Sequence, residues 1–153
     1  MKKFGKILVA VLIFGLMVVL PAAAQKTKAD FQKMYVDYLK KRGFNPQPNN
    51  DGYIVFYIEQ LGFNIFINEK EPQLFVAFLN VSLSTTADKA MMAAHWTNQN
   101  NFGVKAAVYP DNGVVCFSVE QLLPKPKDFS LVFDQLIIRL TAAWLFYYNE
   151  TEG

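Results

Sequence analysis

Reactive chemistry in this chain would have to come from very few side chains. The stretch AAHWTNQNNFG (Ala93–Gly103) holds the only histidine, His95, beside Trp96, with Asn98, Asn100 and Asn101 close behind. The only cysteine is Cys116. A Cys116–His95 dyad would pair a nucleophile with its base, but such a pair needs a third group to orient the imidazole. No acidic motif flanks either residue. Asparagines compete with the backbone for hydrogen bonds, so three of them before Gly103 predict the end of a helix and no catalytic residue.

Metal and cofactor chemistry find no better footing. One histidine and one cysteine cannot supply the usual zinc set, and Asn49-Asn50-Asp51-Gly52 lacks the spacing of a calcium loop. Asp111-Asn112-Gly113 is a turn sequence. No glycine-rich phosphate loop and no G-x-S-x-G elbow occurs. The residues predict no cofactor and no metal.

The elements that would position these residues can be read from periodicity. Phe31, Met34, Tyr35, Tyr38 and Leu39 recur at helical spacing over residues 28–42, and Gly43 stops that helix. GFNPQPNNDG reads as a loop. Three strand-like runs follow, YIVFYIE (Tyr53–Glu59), FNIFINE (Phe63–Glu69) and QLFVAFLNV (Gln73–Val81), the first two separated by Gln60-Leu61-Gly62. Thr86 or Ser84 caps a helix over residues 87–99. VKAAVYP and VVCFSVE then form a tight hairpin across Asp111-Asn112-Gly113. Cys116 reads as a buried small hydrophobe in the second of these strands. After a proline-bearing loop, a long apolar helix runs over residues 128–148. The expected fold is α+β, in the order helix, three strands, helix, two strands, helix, with about five antiparallel strands covered by helices on one face.

The N-terminus reads differently from the rest. Lys2, Lys3 and Lys6 precede an apolar run, and Ala22 and Ala24 stand at −3 and −1 before Gln25. That is the order of a secretory signal peptide over residues 1–24, leaving one domain over residues 25–153. An uncleaved membrane anchor over residues 7–24 is the alternative. The chain has 15 Lys+Arg against 13 Asp+Glu; without the three leader lysines, 12 stand against 13. A near-neutral domain lacks the basic stripe that nucleic acid requires. The expected location is the periplasm or the outside of the cell, and the only expected membrane contact is through the leader.

Several segments resemble the YbjN-like domain, a bacterial family described as sensory transduction regulators. They are YLKKRGF (Tyr38–Phe44), NDGYIVF, LGFNIFI, WTNQNNF, VKAAVYPDNGVVCF and VEQLLPKPKDFSLVFDQLIIRL. The resemblance implies a fold like that of type III secretion chaperones. It also implies a non-enzymatic binding or regulatory domain, with a protein partner or a second copy of itself and no transferable active site.

The aromatic excess supplies the candidate surface. On the sheet, Tyr53, Tyr57 and Phe66 are candidate partner contacts; on the final helix, Trp144 and Phe146 are. An envelope enzyme working through His95 or Cys116 and a small carrier of apolar ligands are the alternative readings.

Overall fold

The computed structural model describes residues 27–152. The expected leader over residues 1–24 lies outside them. Helix α1 (Lys28–Lys41) leads to strands β1 (Gln47–Pro48), β2 (Tyr53–Ile58), β3 (Leu61–Phe66) and β4 (Leu74–Ser82). Helix α2 (Ala87–Asn100), strands β5 (Lys105–Tyr109) and β6 (Val114–Leu122), and helix α3 (Phe129–Glu152) follow. All pairings are antiparallel, and the six strands lie in the order β1-β2-β3-β4-β6-β5.

The helices begin and end where local chemistry dictates. Thr27 and Asp30 form a reciprocal capping box at the start of α1. At its end, Gly43 N–H donates to Lys40 O and Phe44 N–H to Leu39 O, with Gly43 at φ 86°. This is the Schellman arrangement, which needs a left-handed residue and brings Phe44 back over Leu39. Thr86 caps α2. At the other end of α2, the amides of Asn100 and Asn101 donate to the carbonyls of Trp96 and Thr97 at 2.8 and 3.2 Å. The helix does end in the asparagine run, where side-chain amides bond back to carbonyls of the last turns and Asn101 leaves the helical conformation.

All three helices bury their apolar sides against one face of the sheet. Ile54, Phe56, Phe63, Ile65, Phe75, Ala77, Leu79, Phe117 and Val119 point into this layer and join residues of every helix in one core. Ring contacts stitch it together: Tyr35 meets Phe129 edge-on at 4.6 Å, and Phe117 meets Tyr147 at 5.4 Å. By length and composition alone, Pro126–Glu152 would suffice to cross a membrane. Its apolarity has a use inside the domain, because Phe129, Phe133, Leu136, Leu140, Ala143 and Tyr147 are buried.

Four expectations need correction. The sheet has six strands, because Gln47 and Pro48 pair with Val55 and Ile54 inside the expected loop. A proline is tolerated there since β1 is an edge strand. The β2–β3 turn is Glu59-Gln60, with Ile58 opposite Leu61, so Leu61 and Gly62 belong to the strand. Glu59 supplies the positive φ (54°) that this two-residue hairpin requires. The β5–β6 connection is a 3-10 turn over Pro110–Asn112, and only Gly113 takes a positive φ. Finally, Cys116 lies on the sheet face away from the core and is half-buried there.

Candidate interaction surface

Side chains alternate along a strand, so the residues between the core positions form a second face. No described helix packs on it. The register assembles it in rows. Tyr53 stands opposite Phe66, and Phe66 opposite Val76; Asn64 stands opposite Phe78, and Phe78 opposite Ser118. Leu74 faces Leu122, and Val114 faces Tyr109.

Three rings make the centre of this face. Tyr53 and Phe66 have centroids 5.2 Å apart, and Tyr53 meets Phe78 edge-on at 5.4 Å. Such cross-strand aromatic pairs stabilise a sheet even where no second layer covers it. Tyr57 continues the face and is 60% exposed. Its ring lies over Gly62, where an added Cβ would sit 3.2 Å from Tyr57 Cε1. The glycine is the flat seat on which that tyrosine rests.

Beside the rings lies a depression of about 470 Å³ lined by Tyr53, Phe78, Asn80, Tyr109, Asn112, Val114, Cys116 and Ser118. Burial pushes the Cys116 thiol pKa up, so the group stays protonated and is no activated nucleophile. At the end of the same face, Leu74 and Leu122 line a larger hollow of about 730 Å³ with Lys70, Glu71, Pro72, Gln73 and Pro126.

The five residues singled out from the sequence divide between two layers. Tyr53, Tyr57 and Phe66 share the open face. Trp144 and Phe146 are half-buried in the helical layer on the far side of the sheet, with Trp144 packed against the core and 5.9 Å from the Tyr148 ring. The open face also includes Phe78, Tyr109, Leu74 and Leu122, which the sequence reading passed over. Their signal was strand parity: Phe78 shares the parity of Leu74 and Val76 in an otherwise continuous apolar run.

His95 and Cys116 are kept apart. His95 is exposed on α2, which packs beneath the sheet, and shares a 3.0 Å hydrogen bond with Gln99. Among the described residues no group of three or more His, Cys, Asp or Glu is placed to hold a metal. In the Asn49–Gly52 turn, Asn49 Oδ1 is occupied by accepting from the N–H groups of Asp51 and Tyr53.

No family model matches the chain, and no curated protein matches it. Among solved structures, it is similar to a chain in "Structure of the HopA1-SchA Chaperone-Effector Complex". The TM-score is 0.55 at 8% identity, over 82% of this chain and 96% of that one. The protein thus has a chaperone-like α+β fold.

Proposed function

We infer that the chain is a protein-binding module that receives its partner on the open face of the sheet. The aromatic cluster of Tyr53, Phe66 and Phe78, continued by Tyr57 and uncovered by any described helix, carries this reading. Tyrosine and phenylalanine offer large apolar area at low entropic cost, and the tyrosine hydroxyls remain wet before and after docking. The fold neighbour comes from a chaperone–effector complex, a protein–protein assembly, which supports a protein partner here. The proposal assigns no catalytic step, and it includes the YbjN-like regulatory character that the local sequence suggests.

The proposal also places the protein beyond the cytoplasmic membrane, on the strength of the leader pattern in residues 1–24. N-terminal sequencing of the protein from fractionated cells tests this: a chain beginning at Gln25 in the envelope or medium supports it. A chain retaining residues 1–24 in the cytosol overturns it.

Site-specific photocrosslinking in the native cell tests the surface. A benzophenone side chain in place of Tyr57 is expected to capture a discrete protein adduct, and the same group in place of Lys40 on α1 is not. Phe78→Asp should abolish the Tyr57 adduct while the circular dichroism spectrum is retained. Equal adducts from both positions, or an adduct indifferent to Phe78→Asp, would sink the assignment.

A further inference from the structure

Helix α2 buries Ala90, Ala93, Ala94 and Thr97 and turns Met92 and Trp96, one turn apart, to the outside. Beyond its end, Val104 N–H donates to Asn101 O at 3.3 Å and closes a turn in which Gly103 takes φ 80°. Phe102 stands at the corner of that turn and is 96% exposed. From Ala90 to Val104 the chain contains no Lys, Arg, Asp or Glu. The outer side of a surface helix is ordinarily charged; this one presents a methionine, a tryptophan and, at its tip, a whole phenylalanine ring.

The amide side chains around the tip have partners within the protein. Gln99 shares a hydrogen bond with His95, and Asn100 and Asn101 donate to Trp96 O and Thr97 O. Polar groups cost most on leaving water when they leave unpaired, so this tip can be partly dehydrated at reduced cost.

The cation at the tip is Arg139 of α3. A Cβ on Gly103 would stand 3.5 Å from Arg139 Nη1, so the guanidinium lies against the turn that carries Phe102. Arg139 is exposed and has no hydrogen bond or ion pair among the described residues. The two lysines that bracket the uncharged stretch are engaged: Lys89 donates to Thr151 O at 2.6 Å, and Lys105 to Glu120 at 3.1 Å. A free guanidinium is suited to phosphate oxygens. An aromatic wedge with such a cation at its base matches the layering of a phospholipid leaflet, with acyl chain for the ring and phosphate for the cation. A protein would need a preformed pocket for a ring that projects this far, whereas a fluid leaflet opens around it.

We propose that the tip of α2, led by Phe102 and flanked by Trp96 and Arg139, seats the domain on a phospholipid membrane containing anionic lipid. This contact is separate from the leader. The ring enters the boundary between headgroups and acyl chains, about 5–10 Å deep, and Trp96 stays at the interface. One wedge and one cation make the binding weak and reversible. The open sheet face lies on the other side of the sheet from α2 and stays free for a protein partner.

Flotation of the full chain, as purified from its own cells, tests this with phosphatidylethanolamine vesicles containing about one quarter phosphatidylglycerol. The wild type is expected to float. Phe102→Asp should weaken binding about tenfold or more without changing the melting curve, and Phe102→Trp should keep it. Arg139→Gln should reduce the preference for these vesicles over phosphatidylcholine ones. With Trp144→Phe in every protein, Trp96 is the sole tryptophan, and lipids brominated high in the acyl chain should quench it. A wild type that does not float, or flotation indifferent to Phe102→Asp, overturns the proposal. So does flotation that leaves Trp96 unquenched, which would place the contact on a retained leader or elsewhere. If Tyr57→Asp abolishes flotation, the lipid belongs to the sheet face and the tip has no such role. If vesicles are ignored while a benzophenone in place of Phe102 captures a protein in the cell, the tip serves a protein and the membrane assignment fails.

Discussion

The side-chain amide of Asn98 pairs with the backbone of Ala106 as though it were a neighbouring strand. Its Oδ1 accepts from Ala106 N–H at 2.6 Å, and its Nδ2 donates to Ala106 O at 3.0 Å. Ala106 lies on β5, the edge strand paired only to β6. An open edge is a template for another chain, and natural sheets block it. Here one asparagine on α2 fills both hydrogen-bonding positions of that residue and ties the helix to the sheet.

Asn98→Ala should therefore do two things. It removes two hydrogen bonds, costing about 1–2 kcal/mol in urea denaturation, and it frees the β5 edge. Size-exclusion chromatography should show a concentration-dependent association that the wild type lacks at the same concentrations. Unchanged stability and an unchanged elution volume would contradict this role.

Glu59 holds a backbone conformation better suited to glycine. A left-handed residue other than glycine costs about 1–2 kcal/mol, and glycine's extra freedom in the unfolded chain returns about 0.5–1 kcal/mol of that. Glu59→Gly is expected to stabilise the protein by up to about 1 kcal/mol. Thermal melts of the two proteins at one concentration decide it, and a lower melting temperature for the variant would show the turn to be otherwise constrained.

The Tyr147 hydroxyl is buried without a hydrogen-bond partner, while its ring packs edge-on to Phe117. Deleting an unpaired buried hydroxyl leaves nothing unsatisfied, so Tyr147→Phe should be neutral or stabilising by about 1 kcal/mol. Tyr147→Ala removes the ring as well and should cost about 3–5 kcal/mol. If Tyr147→Phe is clearly destabilising, the hydroxyl has a bound water as its partner.

Alkaline stability should fall for a related reason. Burial among Phe75 and Phe129 pushes the Tyr35 pKa up from 10.0 to about 12. The folded state thus holds this proton more tightly than the unfolded one, and its contribution is complete below pH 10. It is lost as the pH climbs from about 10 towards 12, to a total of roughly 2–3 kcal/mol. Tyr35→Phe should flatten the stability–pH curve over that window; a curve of unchanged slope would exclude Tyr35 as its source.

Cys116 provides a probe of the open face. With its pKa raised by burial, less thiolate is present at mildly alkaline pH, and a thiol reagent should label it several-fold more slowly than free cysteine. A partner docked over Tyr53 and Phe78 should slow labelling further. Full reactivity in the presence of saturating partner would move the contact elsewhere.

Helix positions were legible because capping chemistry is local. Gly43 and Thr86 mark ends that the structure keeps within a residue or two. Strand cores were legible too, but sheet edges were not. β1 is two residues long and contains a proline, so nothing in its own sequence distinguishes it from the loop around it; only pairing with β2 makes it a strand. Gly62 read as a turn residue because glycine so often is one, whereas its lack of a side chain serves the Tyr57 ring across the strand. Val114 and Cys116 are nearly as apolar as Val115, Phe117 and Val119, so the run VVCFSV barely declares which side is inward. The final helix is apolar nearly all round, and the structure leaves Leu131, Ile138 and Leu145 exposed on it. Only the position of the sheet reveals that this side of the helix is the one left uncovered.

The pairing of β4 with β6 has a consequence for the birth of the chain. It joins Ser82 to Val114 and Leu74 to Leu122, so everything from α2 through β5 must be made before β4 gains its second neighbour. Until then the emerging first half is a meander with a long apolar strand at its rim, the kind of transient edge that invites wrong partners. Under the export proposed above, the chain would gain by remaining unfolded until Leu122 has emerged on the far side. Translocation in the extended state would then separate synthesis from sheet closure, and the late arrival of β6 would time the closing of the domain to the compartment where it works.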